Sequence, residues 1–268
     1  EIRPSELISH FGPTAWTRIT EPDGTPGQWY LHLFAKEQPD WNWDNPEVRA
    51  DFEKTIRFWC DRGVDGFRVD VAHALVKDLA NGHLPERQSY DVSVMKTDGT
   101  DDLFDRDDVH EVYRAWRRIF NEYNPPRIAV AEAWVPANRR PTYAQPDNLG
   151  QSFNFDMLGA GWNPKNVVRI ADYNLKAAKD AGSSTTWVLS NHDVVRHATR
   201  LGLPNDLNIG EWYGKNRLNP GVDEKLGLAR ARALTMLLLA LPGSTYLYQG
   251  EELGLQEVLD IPAELMQD

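Results

Sequence analysis

Three acids in this sequence each follow an apolar, strand-like run. Asp70 ends Gly66-Phe67-Arg68-Val69-Asp70, Glu132 ends Ile128-Ala129-Val130-Ala131-Glu132, and Asp193 closes Trp187-Val188-Leu189-Ser190-Asn191-His192-Asp193. Alternation along a strand puts Gly66, Arg68 and Asp70 on one face and Phe67, Val69 and Val71 on the other. The polar face needs a polar cavity. Ile128, Val130 and Glu132 share a face in the same way. Taken alone, Arg68-x-Asp70 is equally well an ion pair at a sheet end, because such pairs perturb carboxylates without catalysing anything. Three acids at strand ends, each after an apolar, strand-like run, are harder to explain by chance. The C-terminal ends of parallel strands are where barrel active sites are built.

Paired carboxylates with an arginine and a histidine suit cleavage of a glycosidic bond. One acid attacks the anomeric carbon and the other protonates the leaving oxygen. An attacking acid must stay ionised, which a neighbouring arginine favours. A proton donor must keep its proton near neutrality, which burial and nearby negative charge achieve. Metal binding is the alternative for a cluster of acids and histidine. The sequence has no His-x-x-x-His and a single cysteine, and Arg68 would repel a cation, so no metal and no cofactor is expected.

The elements that must carry these acids show a regular beat. Asn45-Pro46-Glu47 is a helix start, with Asn as the cap and Pro in the first turn. Val48, Phe52, Ile56 and Trp59 follow at helical spacing, and Gly63 closes the helix. A strand at 64–70 comes next, then an irregular Asp- and Gly-rich stretch at 74–106. A helix at 108–123 stops before Pro125-Pro126, and a strand at 127–132 follows. A short strand is expected at Ser152–Met157. A helix at 165–180, a strand at 185–190, a helix at 223–241 and a strand at 244–248 complete the series. Helix, Gly or Pro, then strand is the α/β pattern with parallel strands. A doubly wound sheet and a (β/α)8 barrel both fit, and no glycine-rich phosphate loop follows any strand. Residues 1–44 read differently, as a loop-and-strand region with a turn at Glu21-Pro22-Asp23-Gly24.

The 268 residues suffice for one barrel of roughly 250 residues. Ten tryptophans are mostly packing residues, though flat aromatic faces also suit sugar rings. A net charge of -11 argues against nucleic acid, which needs a basic surface. No apolar run approaches the roughly 20 residues of a membrane span, and no signal peptide is visible, so a cytoplasmic location is expected. Cys60 sits in a helical pattern and reads as a buried thiol. The sequence starts at Glu1 without a methionine, as a processed chain or a piece of a longer one would.

These motifs, in this order, resemble the α-amylase superfamily (glycoside hydrolase family thirteen), and within it the α-glucosidase and oligo-1,6-glucosidase branch. Gly66-Phe67-Arg68-Val69-Asp70 resembles the family's fourth-strand motif, which implies that Asp70 is the nucleophile and Arg68 its partner on the substrate side. Glu132-Ala133-Trp134 is similar to the fifth-strand motif and implies that Glu132 is the general acid/base. Asn191-His192-Asp193 is similar to the seventh-strand motif, with Asp193 as transition-state stabiliser and His192 binding substrate hydroxyls. Arg196 matches an arginine that closes the pocket around a terminal glucose in exo-acting members. Gln38-Pro39-Asp40 resembles the segment that closes domain B, with Trp41 in place of a leucine, and Gln249-Gly250-Glu251-Glu252 resembles the turn after the eighth strand. His73 falls one residue nearer the nucleophile than the histidine of typical α-amylases and is expected to line the aglycone side. Val71 is a residue type the family associates with α-1,6 activity.

The resemblance covers roughly residues 10–255. It implies an incomplete (β/α)8 TIM barrel with the first three strands absent, in which residues 1–44 end domain B and residues 45–268 run from the third helix past the eighth strand. The implied activity is a retaining α-glucosidase acting on short α-linked oligosaccharides or disaccharides. The alternatives are a transglucosylase or isomerase of the same family, a non-catalytic member, and a fragment that is inactive by itself.

Overall fold

A computed structural model describes residues 2–12, 14–79, 94–215, 220–262 and 265. The chain forms two compact units, residues 1–150 and 151–268.

The first unit opens with an antiparallel hairpin of β1 (Trp16–Thr20) and β2 (Pro26–Leu31), with Trp16 opposite Leu31. The predicted turn is present: the Gly24 N–H donates to the Glu21 carbonyl at 2.8 Å. The hairpin packs Trp16, Leu31 and Leu33 against Leu7, Met95, Leu103 and Phe104.

Helix α1 (Pro46–Cys60) starts where the sequence signals it, with the Asn45 side chain accepting the Glu47 N–H at 2.9 Å. That side chain satisfies one of the donors a helix start leaves open. Strand β3 (Gly66–Val69) runs parallel to β4 (Ile128–Ala131), with Gly66 opposite Ile128 and Val69 opposite Ala131. Between them lies α2 (Val109–Phe120), so β3, α2 and β4 form one βαβ unit. Val112, Tyr113, Trp116 and Phe120 of α2 are buried with Trp43, Ile56 and Cys60. Fully burying side chains of this size stabilises by roughly 1.5–3 kcal/mol each. Cys60 is 2% exposed, and burial raises its thiol above the ordinary value. The short α3 (Arg140–Tyr143) follows, and β5 (Gly150–Ser152) crosses the boundary between the units.

In the second unit α4 (Pro164–Asp180) precedes β6 (Thr186–Val188), and α7 (Glu224–Ala240) precedes β7 (Ser244–Tyr246). The two strands are parallel, with Trp187 opposite Thr245. Trp187 is fully buried among Ile170, Leu234 and Leu238. Two short helices, α5 (His197–Arg200) and α6 (Ile209–Lys215), lie between β6 and α7. Gly227 of α7 permits close contact with α5, because a Cβ there would collide with the Ala198 carbonyl.

Most predicted elements appear, shortened at their ends. The strand expected at Ser152–Met157 is instead β5, which ends at Ser152. Beyond it Asn154 takes the Asp156 N–H on its own side chain at 3.0 Å, which turns the chain out of the extended form. Helices α3, α5 and α6 are too short to show a hydrophobic period. Part of the irregular stretch expected at 74–106 lies outside the described residues, at 80–93.

Candidate active site

In the first unit, parallel pairing of β3 with β4 brings Asp70 and Glu132 to neighbouring strand ends. The Glu132 N–H donates to the Val69 carbonyl at 2.9 Å, and the Ala72 N–H to the Glu132 carbonyl at 2.8 Å. Arg68 then bridges the two acids. Its Nη1 lies 2.6 Å from Asp70 Oδ1 and its Nη2 lies 3.1 Å from Glu132 Oε2. One guanidinium therefore holds both carboxyl groups in a fixed relation, as its fork geometry allows.

The two acids differ sharply in environment. The Asp70 side chain is 68% exposed, whereas that of Glu132 is 7% exposed. Burial raises the Glu132 carboxyl above its ordinary value. The Val71 N–H at 3.0 Å, the Trp134 indole N–H at 2.9 Å and the charge of Arg68 act against that, and the neighbouring Asp70 carboxyl adds to it. This is the environment of a carboxyl that keeps its proton longer than usual.

Three groups around this pair were not assigned roles from sequence. Val71 supplies its backbone N–H to Glu132 Oε2 from φ 42°, the left-handed region. Trp134 supplies its indole N–H to Glu132 Oε1. Tyr113 supports the turn by donating its hydroxyl to the Ala72 carbonyl. Trp134 lies two residues from Glu132 in a motif already noted, so it could have been found. The Val71 backbone carries no sequence signal.

His73 does not line an aglycone side. It is fully buried and packs 5.6 Å from the Phe104 ring. Burial first, and the Lys77 charge second, push it down to about 3, so the ring is neutral at physiological pH. Asp40 of the Gln38-Pro39-Asp40 segment pairs with Lys77 Nζ at 2.6 Å and accepts the Leu33 N–H at 2.6 Å. That segment borders a groove of about 640 Å³, which Trp41, Trp43, Phe52 and Phe67 line and which reaches Arg68 and Asp70. The groove also takes in Phe67, Val69 and Val71, the side of β3 whose alternation is apolar.

In the second unit, the run after β6 carries Asn191, His192 and Asp193. The Asp193 N–H donates to Asn191 Oδ1 at 2.9 Å, a tight side-chain turn. His192 Nε2 lies 3.4 Å from Asp193 Oδ1, and both side chains are well exposed. Arg196 points at the turn after β7: its Nη1 donates to the Gln249 carbonyl at 2.8 Å, and its guanidinium lies 4.5 Å from the Tyr248 ring centroid. Gly250 permits this approach. Its φ is +92°, and a Cβ there would sit 3.2 Å from Arg196 Nη1. Among the described residues no group of three or more His, Cys, Asp or Glu is placed to hold a metal ion, and no described helix is long and apolar enough to cross a membrane.

Known proteins resemble this chain. The family profile described as alpha amylase, catalytic domain, matches residues 1–267. An oligo-1,6-glucosidase of Parageobacillus thermoglucosidasius is 28% identical over 272 residues, 95% of this chain and 43% of its own length. The oligo-1,6-glucosidase IMA2 of Saccharomyces cerevisiae is 31% identical over 285 residues, 100% of this chain and 44% of its own. A solved structure of an isomaltulose synthase mutant from Erwinia rhapontici, in complex with sucrose, superimposes with a TM-score of 0.69 at 26% identity, covering 95% of this chain and 42% of that one. The chain thus spans less than half the length of these relatives.

Proposed function

The chain belongs to the alpha-amylase family, and from that premise we propose that it carries the catalytic residues of a retaining α-glucosidase-type glycoside hydrolase. The observation that supports this best is the Arg68 bridge between exposed Asp70 and buried Glu132. In this reading a carboxylate oxygen of Asp70 attacks the anomeric carbon of a terminal glucose. Glu132 gives its proton to the glycosidic oxygen, the bond to that oxygen breaks, and the aglycone leaves as an alcohol. A glucosyl ester on Asp70 remains. Glu132, now ionised, takes a proton from water as the water oxygen attacks the same carbon, and Asp70 is released. Two displacements return the sugar with its configuration retained. Asp193 stabilises the charge that develops on the sugar, His192 binds its hydroxyls, and Arg196 borders the glucose.

In this reading residues 1–44 are the end of domain B, and residues 45–268 are the barrel portion from the third helix past the eighth strand. The substrates are short α-linked gluco-oligosaccharides. The test is proton NMR of the first glucose released by the full-length protein from an aryl α-glucoside. α-Glucose appearing first is the expected result, and β-glucose appearing first would mean inversion.

A second reading keeps the glucosyl ester and changes what attacks it. The likeness to an isomaltulose synthase in complex with sucrose favours considering it. A sugar hydroxyl replacing water would give transfer or isomerisation. Chromatography of products from sucrose and maltose separates the two outcomes, since hydrolysis yields only free monosaccharides.

A further inference from the structure

Glu251 lies in the turn after β7, and its side chain is only 2% exposed. Its Oε1 is 3.2 Å from His197 Nδ1. Among the described residues its oxygens take part in no ordinary hydrogen bond. A buried carboxylate needs compensating positive charge or donors. Two residues of α5 face it: His197, whose Nδ1 lies against Oε1, and Arg200, on which the Glu251 charge acts. Burial pushes Arg200 down to about 10, and Glu251 pulls it back up.

Both residues also reach the segment that carries the third acid. Arg200 Nη1 donates to the Leu189 carbonyl at 2.9 Å. Ser190 Oγ accepts the His197 backbone N–H at 2.9 Å and lies 2.9 Å from His197 Nδ1. The other end of the loop is held by the same turn region: the Arg196 N–H donates to Glu257 Oε2 at 3.0 Å, and the Glu257 N–H donates to Thr199 Oγ1 at 2.7 Å. Residues 189–190 and 196–200 are therefore pinned, and Asn191–Val195 is a short span between two fixed ends.

We propose that Glu251 is a positioning residue for Asp193, holding the 189–200 segment through His197 and Arg200 so that the acid is presented in one place. The inference rests on the reading that Asp193 serves the glycosidic chemistry. A misplacement of one ångström in such a group is enough to cost orders of magnitude in rate.

The experiment is a double-mutant cycle in the full-length protein with α-glucosyl fluoride, whose fluoride leaves readily and keeps residual turnover measurable. Glu251→Gln removes the charge at nearly constant shape. It is expected to lower kcat at least tenfold with KM within about twofold, and Glu251→Asp is expected to restore part of the loss. In an Asp193→Asn background, Glu251→Gln is expected to change kcat less than twofold, because nothing remains to position. An equal loss in both backgrounds, or no loss in the native protein, overturns the proposal and leaves the functional reading intact. Full activity of Asp193→Asn alone overturns both. Should Glu251→Gln fail to fold by thermal melting, Glu251→Asp is carried through the same cycle. A loss confined to the native background then supports the proposal, and an equal loss overturns it.

Discussion

Val71 donates its backbone N–H to Glu132 Oε2 at 3.0 Å while held at φ 42°. A β-branched residue rarely adopts that conformation, and holding one there costs of order 1–3 kcal/mol. The cost is located where an amide must turn toward the buried carboxyl. Val71→Gly relieves the crowding and loses about 1 kcal/mol to backbone entropy. The variant is expected to match or exceed the native protein in denaturant midpoint. Its kcat/KM on an aryl α-glucoside should fall roughly tenfold, about 1.4 kcal/mol, because the amide is no longer fixed. A large drop in the midpoint would mean that Val71 packing outweighs the strain.

Arg68 acts on Glu132 by charge, and its presence lowers that carboxyl against the upward push of burial. Replacing it by Gln removes the lowering influence, so the Glu132 carboxyl rises further. A general acid works while protonated, so the alkaline limb of the kcat/KM profile should move to higher pH in Arg68→Gln. The plateau should fall, since Asp70 also loses its 2.6 Å partner. A limb that stays in place would remove Glu132 as the group that sets it.

Glu132→Gln cannot donate a proton. Substrates with poor leaving groups need that proton most, so maltose turnover should fall far more than glycosylation by a dinitrophenyl α-glucoside. Asp70→Asn should nearly abolish turnover of both, with the melting temperature little changed because the Asp70 side chain is 68% exposed. Parallel losses in Glu132→Gln on the two substrates would count against the acid assignment.

His73 and His110 are held neutral by burial, down to about 3 and about 4. Both rings protonate near 6.5 when the chain unfolds. Between about pH 6.5 and 4 the unfolded state therefore binds more protons, and stability rises with pH there. Stability should be lost as pH falls through this window, by up to about 1.4 kcal/mol per pH unit for each ring. His73→Gln should reduce that slope by one proton in urea titrations at stepped pH. An unchanged slope would show that the His73 ring does not contribute.

The legible part of this protein was local. Asn45-Pro46 marks a helix start because a side-chain acceptor and a preset φ act within one turn, and the structure starts α1 there. The apolar period of Val112, Trp116 and Phe120 defines a buried face, and those residues are buried. The pairing of Asp70 with Glu132 was also foreseeable, since acids at the ends of adjacent parallel strands must come close. Where sequence reading went astray, short-range polar contacts decided. Asn154 turned a presumed strand, and His73, polar by type, was fully buried.

What the sequence by itself determined was which residue types stand at which strand ends, because hydrophobic period and turn residues act over a few positions. Strand period alone did not show that Glu132 would sit where its carboxyl is raised above the ordinary value. That depends on burial, on the Val71 amide and on the Trp134 indole, none of which strand period encodes. Nor did it show that Glu251 would lie buried beside His197, 54 positions earlier in the chain. A carboxylate in a turn reads as solvated, and only packing of α5 against the turn after β7 takes its water away and makes its charge act on its neighbours.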